Sequence, residues 1–334
     1  MTKQRKDIYI SLMNRIALVM LINQGLLLVF SQALDYLKLI LVNSFGENDF
    51  VDITLLFGEC VTYFFAFVLP TVLFNKMNKY SQKEIYEPKD SDKKTPLYAV
   101  LLLGMGLAGI LCSSLVSNFL INSLTDYSEF SSQAFWSVEL KKPYQIAFYI
   151  VSYAIIPAFV EEILFRGTVC KSLQIYGKGT AIVISAMLFA LMHTNIEQIL
   201  YTFVAGLFFG WLYIETKSVK APILLHFVNN FISVVREILY QNSRPVVYEI
   251  YTSLADFVVL ICGLICCIGF VCYIKKHKIT FKKGIEMKPD ENGNEVLSLS
   301  ISDRISGFFS VGMLIFVAYS VFMMSYFIYM SVVL

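Results

Sequence analysis

Charged residues are scarce in this sequence. Lys, Arg, Asp and Glu make up 16% of the 334 residues, whereas 57% are hydrophobic. Soluble domains are nearer to about 25% charged and 45–50% apolar, so this composition excludes an ordinary soluble domain. Positive and negative charges also nearly cancel, at +2 overall, so no excess of positive charge indicates a nucleic-acid partner.

Long polar stretches are correspondingly few, because apolar runs recur along the whole chain. A run of about 20 such residues can cross a hydrocarbon core roughly 30 Å thick. We therefore predict an all-α, polytopic helical bundle that lies in a lipid bilayer, with about eight or nine transmembrane helices. The predicted spans are residues 12–30 (which could continue to 42), 53–74, 97–121, 144–166, 180–194, 196–214, 222–240, 251–274 and 307–334.

A cleavage site is lacking after the first span. Lys3, Arg5 and Lys6 precede that span, as in a signal peptide, but no small-residue site follows it, so we expect a retained anchor. With the N-terminus in the cytoplasm, 21 of the 27 Lys and Arg residues fall in cytoplasmic segments. Cytoplasmic loops carry an excess of these residues, so the sequence predicts a cytoplasmic N-terminus.

The spans divide the chain into three parts. Residues 1–143 hold N-terminal transmembrane helices and a polar loop, residues 144–240 hold a central core, and residues 241–334 hold C-terminal transmembrane helices with a polar loop at 275–305. Both loops have too little apolar content to fold as domains, so we expect exposed cytoplasmic linkers. The seven cysteines lie in or beside apolar runs without zinc-ribbon spacing, which favours ordinary packing.

Ionisable side chains are rare inside the predicted spans, where each one is energetically costly and indicates function by default. Several have a simpler structural interpretation, either as single carboxylates in otherwise apolar helices or as charges near a span end, one of which can reach the interface. These are Glu59, Arg236, Glu237, Asp256 and, near the span end, Arg15. The others form the candidate site, because polar partners stand near them at helical spacing: Glu161, Glu162, His193 and His226.

The two adjacent glutamates differ in their expected partners. Glu162 and Arg166 are four residues apart with the glutamate first, which is the favourable order for a helical ion pair. Glu161 points about 100° away from that pair around the helix and is left free. We therefore expect Glu161 to be the chemically available carboxylate.

The turn YGKG at residues 176–179 would join two antiparallel helices. Counted outward from this turn, Glu161 and His193 lie about 16 and 15 residues away, which places both about 23–24 Å from it at 1.5 Å per residue. The two side chains are therefore expected at the same level of the bundle.

His226 and Asn230 share one face of a later helix. His226 lies only a few residues inside its span, so tilted or short helices are needed to bring it level with His193. Gly206 and Gly210 form a small-xxx-small pair on the intervening helix, and such pairs allow helices to pack closely and at a tilt.

Three short motifs occur in order in this region: EEILFR from Glu161 to Arg166, FALMH from Phe189 to His193, and HFVNN from His226 to Asn230. Together they resemble the EExxxR, FxxxH and HxxxN motifs of the CAAX-protease and bacteriocin-processing (CPBP, or ABI) intramembrane endopeptidases. The resemblance covers residues 158–231 and implies a core like that of the type II CAAX prenyl endopeptidases, a branch that usually has eight spans.

The resemblance implies a glutamate-based endopeptidase. Glu161 would act as the general base on the attacking water, and His193 would hold that water from the other side. His226 and Asn230 would face the scissile carbonyl and stabilise its oxyanion. The glutamate–arginine ion pair would brace the helix and help set the charge state of Glu161.

The implied substrate is a membrane-associated peptide or protein, in bacteriocin or pheromone processing or in immunity. The short link between the second and third motifs resembles the bacterial branch of the family more than the CAAX branch. A prenylated protein is therefore the less expected substrate, and the bacterial cell membrane is the expected location.

Two alternatives stay open. The polar residues could instead stabilise the bundle of a non-catalytic protein, such as a bacteriocin self-immunity protein that only binds its target, or a transporter. Glu161, His193 and His226 could also be three zinc ligands with water as the fourth. An HExxH motif is absent, and the resemblance favours catalysis without a metal, so we expect no cofactor.

Overall fold

The computed structural model describes residues 2–78, 96–124, 140–277 and 300–333. These residues are helical almost throughout, and none of them forms a β-strand. Two loops were predicted, at 75–95 and 275–305. Of the first loop, the structure describes only residues 75–78, and of the second only residues 275–277 and 300–305.

The helices follow one another with short connections. They are α1 (Thr2–Phe45), α2 (Asp49–Met77), α3 (Pro96–Leu124), α4 (Pro143–Tyr176), α5 (Lys178–Met192), α6 (Ile196–Thr216), α7 (Lys220–Asn242), α8 (Pro245–His277), α9 (Ile301–Ser306) and α10 (Val311–Val333). A single 3₁₀ turn, Gly307–Phe309, connects α9 to α10.

The described helices confirm the polytopic membrane bundle. Seven of them are long and apolar enough to cross a membrane, and an eighth span is present if α9 and α10, which are bent by 64°, are counted together. The remaining predicted span, 180–194, corresponds to α5, which is only 15 residues long. A helix of that length reaches about 23 Å, less than a hydrocarbon core of roughly 30 Å.

Helix α4 is not uniformly wound. It widens to a π-helix at Val151–Ile155 and again at Ile163–Cys170, on either side of the α-helical segment Ile156–Glu162. Both glutamates of the first motif lie at the end of that central segment. π-Helical turns inside α-helices are rare and are concentrated at functional sites.

The predicted hairpin between α4 and α5 is confirmed. Helix α4 continues past Arg166 to Tyr176, and Gly177 makes the turn with a φ of +112°, a conformation that side chains rarely adopt. Helix α5 therefore returns alongside α4, and Ser185 donates a hydrogen bond of 3.0 Å to the backbone oxygen of Phe165.

Close packing of α5 against α6 depends on the predicted glycine pair. A Cβ atom on Gly206 would lie 2.8 Å from the Cα of Ala186, and one on Gly210 would lie 3.2 Å from Cγ2 of Ile182. The two backbones thus approach as the small-xxx-small pattern predicts.

Two of the charges with a structural interpretation contact each other. Arg236 on α7 forms an ion pair with Asp256 on α8, and both side chains are partly buried. The ion pair agrees with the structural interpretation of both residues, although their spacing in the sequence does not predict that they meet. Glu237 accepts a hydrogen bond of 2.9 Å from Gln241 on the same helix.

Candidate active site

The predicted ion pair between Glu162 and Arg166 is present. Nη1 of Arg166 lies 2.9 Å from Oε1 of Glu162, and both side chains are completely buried. Nη2 of Arg166 donates a second hydrogen bond, of 3.0 Å, to the backbone oxygen of Gly206. The guanidinium therefore connects α4 to α6.

Aromatic rings enclose this guanidinium. Its central carbon lies 4.7 Å from the ring centre of Phe189 and 5.1 Å from that of Phe209. Such rings attract a cation through their quadrupole, and a desolvated contact stabilises it by about 2 kcal/mol. The buried positive charge of Arg166 is thus compensated by one carboxylate, one carbonyl and two ring faces.

His226 lies between the two glutamates. Its Nδ1 is 2.9 Å from Oε1 of Glu162, and its Nε2 is 3.9 Å from Oε2 of Glu161. The imidazole stacks on Phe209, with ring centres 4.9 Å apart and planes at 16°. The sequence left open whether His226 reaches the level of the glutamates, and the packed, short-connected helices α5 to α7 bring it there.

The two carboxylate oxygens of Glu161 have different environments. Oε1 accepts a hydrogen bond from the hydroxyl of Tyr63 on α2. Oε2 is buried and has no hydrogen-bond partner among the residues that the structure describes. A buried acceptor without a partner is unusual in native proteins and requires an explanation such as a bound water or a catalytic role.

His193 follows the last residue of α5 and is fixed by its own helix. Its Nδ1 lies 2.8 Å from the backbone oxygen of Phe189, and its ring packs edge-on against the Phe189 ring at 4.8 Å. The same Phe189 ring also contacts His226, at 5.8 Å. His193 and His226 thus share Phe189 as a neighbour, which places both imidazoles in one region.

The backbone after His193 is strained. Thr194 has a φ of +48° although it is β-branched and not glycine, and such conformations cluster at functional sites. Gln24, buried on α1, donates a hydrogen bond of 2.8 Å to the backbone oxygen of Met192. This contact from another helix holds the end of α5 and, with it, His193.

Asn230 lies one turn beyond His226 on α7. Its Nδ2 donates a hydrogen bond of 3.1 Å to the backbone oxygen of Tyr153, in the first widened segment of α4. That carbonyl stands four residues before Pro157, which has no N–H to donate to it. Asn230 thus connects α7 to α4, and its second amide hydrogen remains for another acceptor. Its role at an oxyanion stays a prediction.

Sequence reasoning missed two neighbours of the site, Tyr63 and Gln24. Both come from the N-terminal helices, outside the three motifs, and neither has a charge that would single it out in an apolar helix. No spacing rule connects a tyrosine on α2 to a glutamate about 100 residues later in the chain.

The zinc alternative requires three ligands on one ion. Within the described ranges, no group of three or more His, Cys, Asp or Glu side chains is placed to hold a metal ion. The Nδ1 atoms of His193 and His226 already contact oxygens, which leaves Nε2 of each for water, substrate or a metal. The expectation of metal-free catalysis stays a prediction.

The central segment of the chain is similar to known proteins. Residues 143–232 match the family model described as type II CAAX prenyl endopeptidase Rce1-like. The membrane-embedded CAAX protease MroQ of Staphylococcus aureus (strain USA300) is 25% identical over 194 residues, which are 56% of this chain and 74% of that protein. No solved structure matches the chain. The family segment contains all six candidate residues of the motifs but neither Tyr63 nor Gln24.

Proposed function

We propose that the chain, whose central segment matches the CAAX protease family, is an intramembrane endopeptidase that hydrolyses a peptide bond with a glutamate-activated water. The family assignment confirms the resemblance that the three motifs indicated. The observation that carries the mechanism is Oε2 of Glu161, which is buried, has no partner among the described residues, and faces Nε2 of His226.

In the proposed reaction, water occupies the space beside this oxygen. An O–H bond of the water breaks as its oxygen bonds to the scissile carbonyl carbon, and the proton moves to Oε2 of Glu161. A positioned general base of this kind contributes about 10²–10⁴-fold to the rate. His193 would hold the water through its available Nε2, since its Nδ1 is occupied by a backbone oxygen.

The oxyanion would be stabilised by His226 and Asn230. Nδ1 of His226 is held by Glu162, and its Nε2 lies 3.9 Å from Oε2 of Glu161. As an N–H group, Nε2 would donate a hydrogen bond to the oxyanion. Such a preorganised donor contributes about 10²–10³-fold to the rate.

The proposed substrate is a membrane-associated peptide or protein, because the site lies within a bundle of apolar helices. The family includes prenyl endopeptidases by its description, and the Staphylococcus relative is described as a CAAX protease. For this chain we favour an unprenylated bacterial peptide, in processing or immunity, and a cytoplasmic N-terminus in the cell membrane.

The test is cleavage of a peptide panel by the purified protein in lipid nanodiscs. The panel pairs membrane-anchored peptides with and without a prenyl group, and products are identified by mass spectrometry. We expect Glu161→Gln to abolish cleavage while insertion and thermal stability are retained. Glu249→Gln, at an exposed position on α8, is the matched control and should leave turnover unchanged.

Two outcomes would contradict the proposal. Undiminished turnover in Glu161→Gln would remove Glu161 from the role of base. In cells, protection against a bacteriocin that survives both Glu161→Ala and His193→Ala would favour the non-catalytic immunity protein. Treatment with a chelator distinguishes metal-free catalysis from the zinc alternative. A chelator would abolish turnover that depends on zinc, and added metal would restore it, whereas metal-free turnover would persist.

A further inference from the structure

Tyr63 reaches the site from outside the family segment. It lies on α2, and its hydroxyl donates a hydrogen bond to Oε1 of Glu161 on α4. The Tyr63 ring is fixed by Phe67, one turn further along the same helix, with ring centres 4.8 Å apart. The hydroxyl is thus held in place by α2 itself, independently of α4.

Because of this contact, the two carboxylate oxygens of Glu161 have different surroundings. Oε1 is occupied by Tyr63, whereas Oε2 lacks a partner within the described part of the chain and lies 3.9 Å from Nε2 of His226. A water with two hydrogen bonds of about 2.8 Å fits beside a gap of this size when it sits off the line between the atoms.

We propose that Tyr63 is a positioning residue that holds Glu161 by Oε1, so that Oε2 is the oxygen that receives the proton from water. This inference rests on the proposed function, since it assigns a role relative to the base. It adds that a residue of the N-terminal helices completes the site and that the family segment alone is insufficient.

The physical argument concerns both geometry and charge. A glutamate side chain has three rotatable bonds, and rotation about the last would exchange its two oxygens. A phenol O–H donated to a carboxylate is a charge-assisted hydrogen bond, which is about twice as strong as a neutral one. Tyr63 therefore restricts this rotation and stabilises the ionised form, which is the form that can act as a base.

A purely structural role would have different consequences. A buried tyrosine hydroxyl usually finds some hydrogen-bond partner, and many such contacts only stabilise the fold. Loss of a structural contact lowers the melting temperature without changing the pH dependence of turnover. The role proposed for Tyr63 changes the pH dependence, because the hydrogen bond belongs to the ionised base.

The first test is Tyr63→Phe, which keeps the ring on Phe67 and removes only the hydroxyl. We expect kcat to fall about tenfold with KM unchanged, and the acid limb of the pH–rate profile to move up by about one pH unit. Tyr149→Phe is the matched control, because Tyr149 packs against Tyr153 and makes no contact with Glu161. It should retain the wild-type profile.

The second test does not depend on cleavage. Infrared difference spectroscopy of the protein in nanodiscs follows the carboxyl stretching band of Glu161, assigned by its loss in Glu161→Gln. Tyr63→Phe should shift this band and move its titration to higher pH, whereas Tyr149→Phe should not. An unchanged band and titration in Tyr63→Phe would overturn the inference. If the wild-type protein cleaves no peptide, the proposed function is contradicted. The effect of Tyr63→Phe on the carboxyl band of Glu161 would still show whether Tyr63 holds that side chain.

Discussion

Arg166 has the largest side chain among the fully buried residues of the described structure. It is the centre of the site's electrostatics, because it binds Glu162, the backbone of Gly206 and the faces of two rings at the same time. A planar guanidinium can make these contacts together, whereas the compact ammonium group of lysine cannot.

We therefore expect Arg166→Lys to be strongly deleterious despite the conserved charge. Removing one partner of a buried pair costs about 3–5 kcal/mol, and lysine would recover only part of this. Thermal unfolding in nanodiscs, compared with Arg244→Lys at an exposed position, measures the loss. A melting temperature equal to that of the control would show that the planar guanidinium of Arg166 is not required for stability.

Asn230 has two possible contributions, to the oxyanion and to the α4 backbone. Asn230→Ala should slow turnover by about 10²–10³-fold if its second amide hydrogen binds the oxyanion. The loss of the contact with Tyr153 should lower stability by about 1 kcal/mol as well. Asn43→Ala, at an exposed position near the end of α1, is the control for both measurements. A stability loss with normal kcat would assign Asn230 to the backbone contact alone.

At the scale of elements, the α5–α6 contact controls the position of Arg166. Gly206 provides the carbonyl that accepts from Arg166, and it lies against the backbone of Ala186. A methyl group at Gly206 has no flexible neighbour to displace, so the helices must separate. Overpacking of this kind typically costs about 1–3 kcal/mol.

Gly206→Ala should therefore lower both thermal stability and turnover. Gly179→Ala is the matched control, because a Cβ there meets nothing within 4 Å and alanine is the better helix former. The control should be neutral or slightly more stable. If Gly206→Ala is also neutral or slightly more stable, the close approach of α5 and α6 is not required for stability or turnover.

Part of the site could be predicted from sequence because it depends on spacing within helices. The ion pair of Glu162 with Arg166, the hairpin at Gly177 and the close approach at Gly206 all follow from helical periodicity or from glycine chemistry. The widened segments of α4 could not be predicted, because the apolar pattern used here does not distinguish a π-helical turn from an α-helical one. Tyr63 could not be predicted, because its contact joins two helices that are far apart in the sequence.

At the scale of the molecule, the bundle implies a definite orientation. Helix α1 carries Lys3, Arg5 and Lys6 at its start, and the proposed cytoplasmic N-terminus places the α1–α2 turn on the outer side. If the short helix α5 counts as one pass through the membrane, as the sequence predicts, the same orientation places the connection between α6 and α7 in the cytoplasm.

Cysteine labelling tests this orientation in intact cells. In a background without the seven native cysteines, Glu47→Cys should react with a membrane-impermeant maleimide from outside. Lys220→Cys should react only after the membrane is permeabilised. The reverse pattern would invert the proposed topology, and equal labelling of both positions from outside would contradict the number of spans between them.

The widened turns of α4 have a consequence for changes in chain length. A π-helical turn holds one residue more than an α-helical turn, so each widened segment stores an extra residue within an unbroken helix. Deletion of one residue between Gly167 and Cys170 can then be absorbed by rewinding that segment, with both glutamates and Arg166 left in place. In an ordinary α-helix the same deletion would rotate everything beyond it by about 100°. Natural variants that are one residue shorter are therefore expected here rather than in α6 or α7.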